Sequence, residues 1–268
     1  MTSSDTTGSG SVASQQPGAG RPGEAGQSGG AGQPAGAGQP GGAGQPAAGG
    51  PGWGTQTGNP TVTLLLRHGA TELSAERRFS GRGDVALTKE GLKQAELAAR
   101  KLAGAPGVDV IITSPLQRAR RTAEAVAEAT GAPLTVDDDL TEADFGQWQG
   151  LTFAEARERW PDELAAWLAT PDAAPPGGES FAMVAMRVLA ALDRIVEAHA
   201  RKRVVIVSHV TPIKTLICRA LLAPPEAMFR MNLDVASLTR IDCFDNGSAL
   251  VRSLNDTAHL HERKRRWF

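Results

Sequence analysis

Four stretches of this chain carry side chains that can do chemistry: Arg67-His68-Gly69, Ser114-Pro115 with Arg118 a turn later, Glu142 to Gly150, and Ser208-His209. Two arginines and two histidines in one crevice make a pocket for a tetrahedral oxyanion such as phosphate. Planar guanidinium groups bind oxygens in pairs, an imidazole attacks phosphorus or moves protons, and the cations neutralise the equatorial oxygens. Cleaving a phosphate ester also requires a proton for the departing alkoxide, and a carboxyl at Glu142 or Asp144 is the available donor. There is no His-rich spacing, and the only dense carboxylate cluster is Asp137-Asp138-Asp139. The chemistry therefore reads as free of metal and cofactor, with a covalent phosphohistidine dividing one hard displacement into two. Plainer alternatives stand beside this: strand ends in solvent, or His209 as a core histidine. His199, His259 and His261 read as surface or tail residues.

The elements that must position these residues follow from the apolar pattern. Thr61-Val62-Thr63-Leu64-Leu65-Leu66 is a short buried strand stopped by Arg67-His68, and Gly69 lets the backbone turn sharply. Val108 to Thr113 and Val204 to Ser208 are two more such strands, ending at Ser114 and His209. Leu134 to Val136 is a shorter candidate, and the three aspartates after it read as a solvated loop. Thr88-Lys89-Glu90 marks a helix N-cap; further helices are expected from Leu116 to about Thr130, over 153–169 with a break at Pro161, from Phe181 to Val196, and from Pro212 to Leu222. Ser237 to Phe244 and Ser248 to Leu254 read as a hairpin turning at Asn246-Gly247. Strand, polar turn and helix in repetition predict a parallel sheet, whose chemistry gathers past the carboxyl ends of its strands.

Composition bounds the rest. The first 58 or so of the 268 residues are almost all Gly, Ala, Pro, Gln, Ser and Thr, with an Ala-Gly-Gln echo at Ala25, Ala31, Ala37 and Ala43. Such a segment buries too little apolar surface to offset its ordering entropy, so a disordered arm is expected over 1–59, with Trp53 its one large apolar residue. Glycine lacks the strict period of a collagen helix, which leaves a flexible linker. A formal net charge of −1 gives no general field for nucleic acid or anionic membrane. Nothing approaches the ~20 apolar residues of a bilayer span, and Met1-Thr2-Ser3-Ser4-Asp5 has no signal-peptide features. Cys218 and Cys243 are far apart among apolar neighbours and read as free thiols in a reducing, cytoplasmic setting. Arg263-Lys264-Arg265-Arg266 reads as a solvated basic tail.

These residues resemble the histidine phosphatase superfamily, also called phosphoglycerate mutase-like. The resemblance rests on Arg67-His68-Gly69 after the first strand, Ser114-Pro115-Leu116-Gln117-Arg118, the Glu142 to Gly150 loop and Ser208-His209, in order across about Thr61 to Leu254. It implies His68 as nucleophile, Glu142 as general acid and later base, and Arg67, Arg118 and His209 as phosphate ligands, with Asp144 a loop residue. Phe79-Ser80-Gly81-Arg82-Gly83-Asp84 fits the family's pocket wall, so Ser80, Gly81 and Arg82 are candidate substrate contacts. A nearer likeness is to the phosphatase half of actinobacterial RNase H/acid phosphatase proteins and to α-ribazole phosphatases. It is carried by Glu142-Ala143-Asp144-Phe145-Gly146, Pro176-Gly177-Gly178-Glu179-Ser180 and Ser208 to Lys214. The RNase H activity is not expected here. Three positions depart from the family's common residues: Ser74 where an Asn is frequent, Val210 after the second histidine, and Gln149 where a Glu is frequent.

The expectation is a three-layer α/β/α domain over 60–256 with a mostly parallel sheet and a small helical cap, and a basic tail over 257–268. The expected activity is metal-independent phosphomonoester hydrolysis of a small phosphorylated metabolite, α-ribazole phosphate among the candidates. A phosphoglycerate mutase-type transfer and a non-catalytic phospho-ligand-binding module are the rivals. Neither nucleic acid nor membrane is an expected partner, and homodimerisation is left open. Substrate choice is assigned to the cap and to Arg77, Arg78 and Arg82.

Overall fold

The computed structural model describes residues 58–104 and 106–261. All but the last two residues of the expected arm, and the basic run at 263–266, lie outside the described residues. The elements are β1 (Thr61–Arg67), α1 (Glu72–Ala75), α2 (Lys89–Leu102), β2 (Val110–Thr113), α3 (Gln117–Thr130) and β3 (Leu134–Val136), then α4 (Phe153–Arg159), α5 (Pro161–Ala169) and α6 (Phe181–Ala198). β4 (Arg203–Ser208), α7 (Val210–Leu221), β5 (Leu238–Cys243) and β6 (Ala249–Asp256) complete the list. One sheet in the order β3-β2-β4-β1-β5-β6 holds all the strands. The first four pair in parallel, and β5 runs antiparallel to both β1 and β6.

Both faces of this sheet are covered. Leu65, Ile112, Val204 and Ile206 pack with α5, α6, α7 and the loop carrying Glu142. Leu64, Leu66, Ile111, Val205 and Val207 pack against Ala98, Ala99, Ala119, Ala123 and Val126 of α2 and α3. Burial on both sides removes the polar/apolar alternation of a one-sided strand and accounts for the unbroken apolar runs. Each Leu or Ile so enclosed contributes about 1.5–3 kcal/mol relative to exposure. Small alanines on α2 and α3 bring those helices close to the sheet. Thr88 caps α2 by accepting from the Gly91 amide at 3.0 Å.

Several elements differ from the sequence reading. β2 starts at Val110 rather than Val108, because the Asp109 carboxylate takes the Arg203 amide at 2.7 Å as the chain enters the sheet. The aspartate triplet is no plain loop: Asp138–Leu140 form a 3-10 turn, and Arg194 pairs with Asp137 and Asp139 at 3.1 and 2.7 Å. Further short elements were not anticipated, among them a 3-10 turn at Gly146–Trp148. α1 is started by a reciprocal cap between Thr71 and Ser74, and Pro225–Arg230 is a 3-10 turn. The hairpin turns through Asp245-Asn246-Gly247, with Gly247 in the left-handed region at φ 78°. Past β6, Ala258–Leu260 form another 3-10 turn, and His259 is half-buried with Nε2 3.0 Å from the Ala236 carbonyl instead of standing in solvent. Cys218 and Cys243 are buried and unpaired. No helix among the described residues is long and apolar enough to cross a membrane.

Candidate active site

The register of the parallel strands decides which polar residues meet. Arg67 lies opposite Ser208 in the β1–β4 ladder, so the next residue of each strand, His68 and His209, stand side by side with ring centroids 5.1 Å apart. Thr113 lies opposite Val207 across β2 and β4, which brings Ser114 beside this pair; its Oγ is 2.7 Å from His209 Nε2. Both imidazoles are buried.

The His68 tautomer follows from its neighbour. His68 Nδ1 is 2.8 Å from the Gly69 carbonyl, which only accepts, so Nδ1 carries the proton and Nε2 keeps its lone pair. Ser114 Oγ already accepts from the Leu116 amide at 3.3 Å. With one lone pair and its proton still free, it can pair with His209 Nε2 in either sense, and His209 Nδ1 is buried without a partner among the described residues. One ring leaves Nε2 with its lone pair, and the other leaves Nδ1 unpaired. Burial first, then Arg67 and Arg118, hold the His68 pKa well below the ordinary imidazole value. His209 is lowered in the same way, by burial and then by Arg118, His68 and Arg67.

Arg67 anchors one NH1 on the Leu233 carbonyl at 2.5 Å, and its Nε has no partner among the described residues. Arg118 is fully buried; its NH1 and NH2 donate to the carbonyls of Gly83, Ser80 and Gly81 at 2.8, 3.1 and 2.7 Å, again leaving Nε unpaired. It therefore holds the Ser80–Gly83 loop as well as facing the histidines. The Glu142 carboxylate sits at the N-terminus of α7, where it accepts from the amides of Val210 at 3.1 Å and Thr211 at 3.2 Å, and from Ala143 at 2.8 Å. Val210 thus serves through its backbone, which a β-branched side chain does not alter. Ser74, the shortened position, is spent on the cap with Thr71.

A cavity of about 340 Å³ is lined by Arg67, His68, Ser74, Arg78, Ser80, Glu142 and Lys214 among others, whereas the fully buried Arg118 and His209 lie behind its lining. Of the three candidate substrate contacts only Ser80 faces it. Gly81 instead donates its amide to Gln149 Oε1 at 2.7 Å, and a methyl there would meet the Ala143 carbonyl at 2.8 Å. Close backbone packing, with Gln149 as its pin, is why that position is glycine. Arg82 turns away to Glu179 at 3.0 Å. Asp144 accepts from the Gly146 amide at 2.9 Å and shapes its own loop.

Sequence reasoning missed Arg187 of α6. Its NH1 donates to the carbonyls of Asp139 and Thr141 at 2.7 and 2.6 Å, its NH2 to that of Glu142 at 3.1 Å, and its Nε and NH2 to Glu179 at 3.1 and 3.0 Å. The signal was present: one arginine in a helix otherwise apolar on its inner side. Lys214, half-buried in the cavity wall, was quoted only as part of a motif; its pKa is lowered by burial and then by Arg67, with Glu142 opposing.

The sequence pattern of the histidine phosphatase superfamily (branch 1) matches residues 63–257. The bifunctional protein Rv2228c of Mycobacterium tuberculosis is 48% identical over 210 residues, 78% of this chain and 58% of that protein. This chain therefore spans little more than half the length of that relative. Phosphoserine phosphatase 1 of Hydrogenobacter thermophilus is 33% identical over 200 residues, covering 74% of this chain and 94% of that one. Among solved structures, the α-ribazole phosphatase of Shigella flexneri aligns with a TM-score of 0.66 at 28% identity, over 73% of this chain and 96% of that one. This chain belongs to the histidine phosphatase superfamily, branch 1.

Proposed function

We propose that the chain hydrolyses phosphomonoesters of a small metabolite, without a metal, through a phosphohistidine at His68. The observation that carries this reading is the His68 ring: its Nδ1 proton is held by the Gly69 carbonyl and Nε2 is left as a neutral nucleophile among Arg67, Arg118 and His209. Nε2 attacks phosphorus and the P–O ester bond breaks, while Glu142 gives its proton to the departing alkoxide. Water then attacks the phosphohistidine and passes a proton to Glu142; the P–N bond breaks and inorganic phosphate leaves. Arg67, Arg118 and His209 neutralise the transferring group throughout.

The substrate is a small phosphorylated metabolite, and α-ribazole phosphate is in range because the cavity is mostly apolar above its polar floor. Two buried unpaired thiols suit a reducing, cytoplasmic setting.

Labelled aryl phosphate provides the test. In Glu142→Gln, phosphorylation by a good leaving group outruns hydrolysis, so label accumulates on His68 in an acid-labile, base-stable form. Alkyl esters, whose oxygen needs the proton, slow by about 100-fold or more, within the usual range of general acid catalysis. Label on another residue, equal losses for both ester types, or loss of turnover in excess chelator overturns the mechanism.

A further inference from the structure

We propose that this cavity selects phosphomonoesters whose alcohol portion is a bulky, flat apolar group, an inference that rests on the phosphatase reading above. Of the chain's seven Phe and five Trp, six converge on the cavity: Phe79, Phe145, Phe153, Trp167, Phe181 and Phe229. They come from five separate places in the fold, namely the turn after α1, the Glu142 loop, the α4–α5 pair, the start of α6 and the 225–230 turn. Their rings pack against one another, with centroids 4.9 Å apart for Phe79 and Phe145, 4.6 Å for Trp167 and Phe181, and 5.8 Å for Trp167 and Phe229. The result is a continuous aromatic wall.

The outer part of that wall is wet. Phe153, Leu168 and Phe229 are 36%, 38% and 45% exposed although they line a concave site. Large apolar side chains gathered in a cleft and left open to water mark a binding surface. The charged residues of the lining are Arg67, Arg78, Glu142 and Lys214, and Arg78 is paired with Glu76 and Glu155 at 2.6 and 2.8 Å. With the phosphoryl group seated at His68, the alcohol portion projects along the aromatic wall. A flat ring stacks there by edge or face, while a short polar alcohol leaves the wall hydrated.

Aryl phosphates are poor reporters of this selectivity, because their leaving groups are intrinsically good. Kinetics of the full chain on 2-(1-naphthyl)ethyl phosphate, ethyl phosphate and phosphoserine compare alcohols of similar leaving ability. Removing the naphthyl ring from water predicts a kcat/KM ratio over ethyl phosphate on the order of 50-fold. Phe229→Ala, at a half-exposed position where folding is safe, reduces that ratio about threefold or more; a deeper Trp167→Ala, checked for folding by its melting transition, reduces it further. A ratio below about tenfold, a ratio unchanged in Phe229→Ala, or phosphoserine as the best substrate overturns the selectivity while leaving the phosphatase reading standing. If none of the three esters turns over and no phosphohistidine forms, the phosphatase reading falls with it.

Discussion

At the scale of residues, the site sets two imidazoles to different tasks through their second nitrogens. A carbonyl fixes the His68 tautomer, and His209 Nε2 is tied to the Ser114 hydroxyl. Because burial and two arginines disfavour a charged ring, His68 stays neutral in solutions where a free histidine is half protonated. Nitrogen-15 NMR of labelled protein in phosphate-free buffer should show His68 titrating below the ordinary value of about 6.5. A midpoint at or above that value contradicts the desolvated, cation-flanked site. The positions of these residues were largely legible beforehand, since residue types and their places after strands are local facts. The Arg82 pairing has a source that local chemistry cannot supply: an exposed cation in a pocket motif turns toward whichever carboxylate the fold brings near, here Glu179.

At the scale of elements, α6 does more than cover the sheet. Arg187 joins it to the carbonyls of the Asp139–Glu142 segment and to Glu179, which in turn accepts the Asp144 amide at 3.0 Å. Arg187 is a positioning residue, fixing the backbone from which Glu142 projects. Arg187→Met should lower kcat by tenfold or more with little change in KM, because small misplacements of a catalytic group are expensive and the phosphate ligands are untouched. Arg187→Lys should restore little, since an ammonium cannot reproduce the five-donor fork. A rise in KM at constant kcat would assign the residue to substrate binding instead. The start of α2 is packed just as tightly against the nucleophile's turn: a methyl at Gly91 would fall inside contact distance of the Ala70 backbone, and one at Gly69 would strike the Gly91 carbonyl. Gly91→Ala should therefore destabilise by about 3 kcal/mol in denaturant melts, well beyond its helix-propensity gain. An unchanged melt would mean that this turn yields freely.

At the scale of the whole molecule, the two buried histidines tie stability to pH. Their folded pKa values lie below the unfolded value of about 6.5, so between the two the unfolded chain binds more protons. Stability is complete above about pH 6.5 and declines as pH falls through the window down to the lowered folded values. Melting temperature in phosphate-free buffer should drop across that window, and His68→Gln should flatten the drop; a parallel curve for the variant would assign the acid sensitivity elsewhere. The sequence by itself determined the three parallel strands with polar ends and the helices between them, because apolar runs, caps and glycine turns are written within a few neighbouring positions. Only the tertiary structure decided that His68 and His209 are neighbours, that Arg187 holds the Glu142 loop, that Gly81 packs against the Ala143 backbone, and that six aromatics form one wall. Those facts depend on strand order and register across more than a hundred residues, which no local pattern encodes.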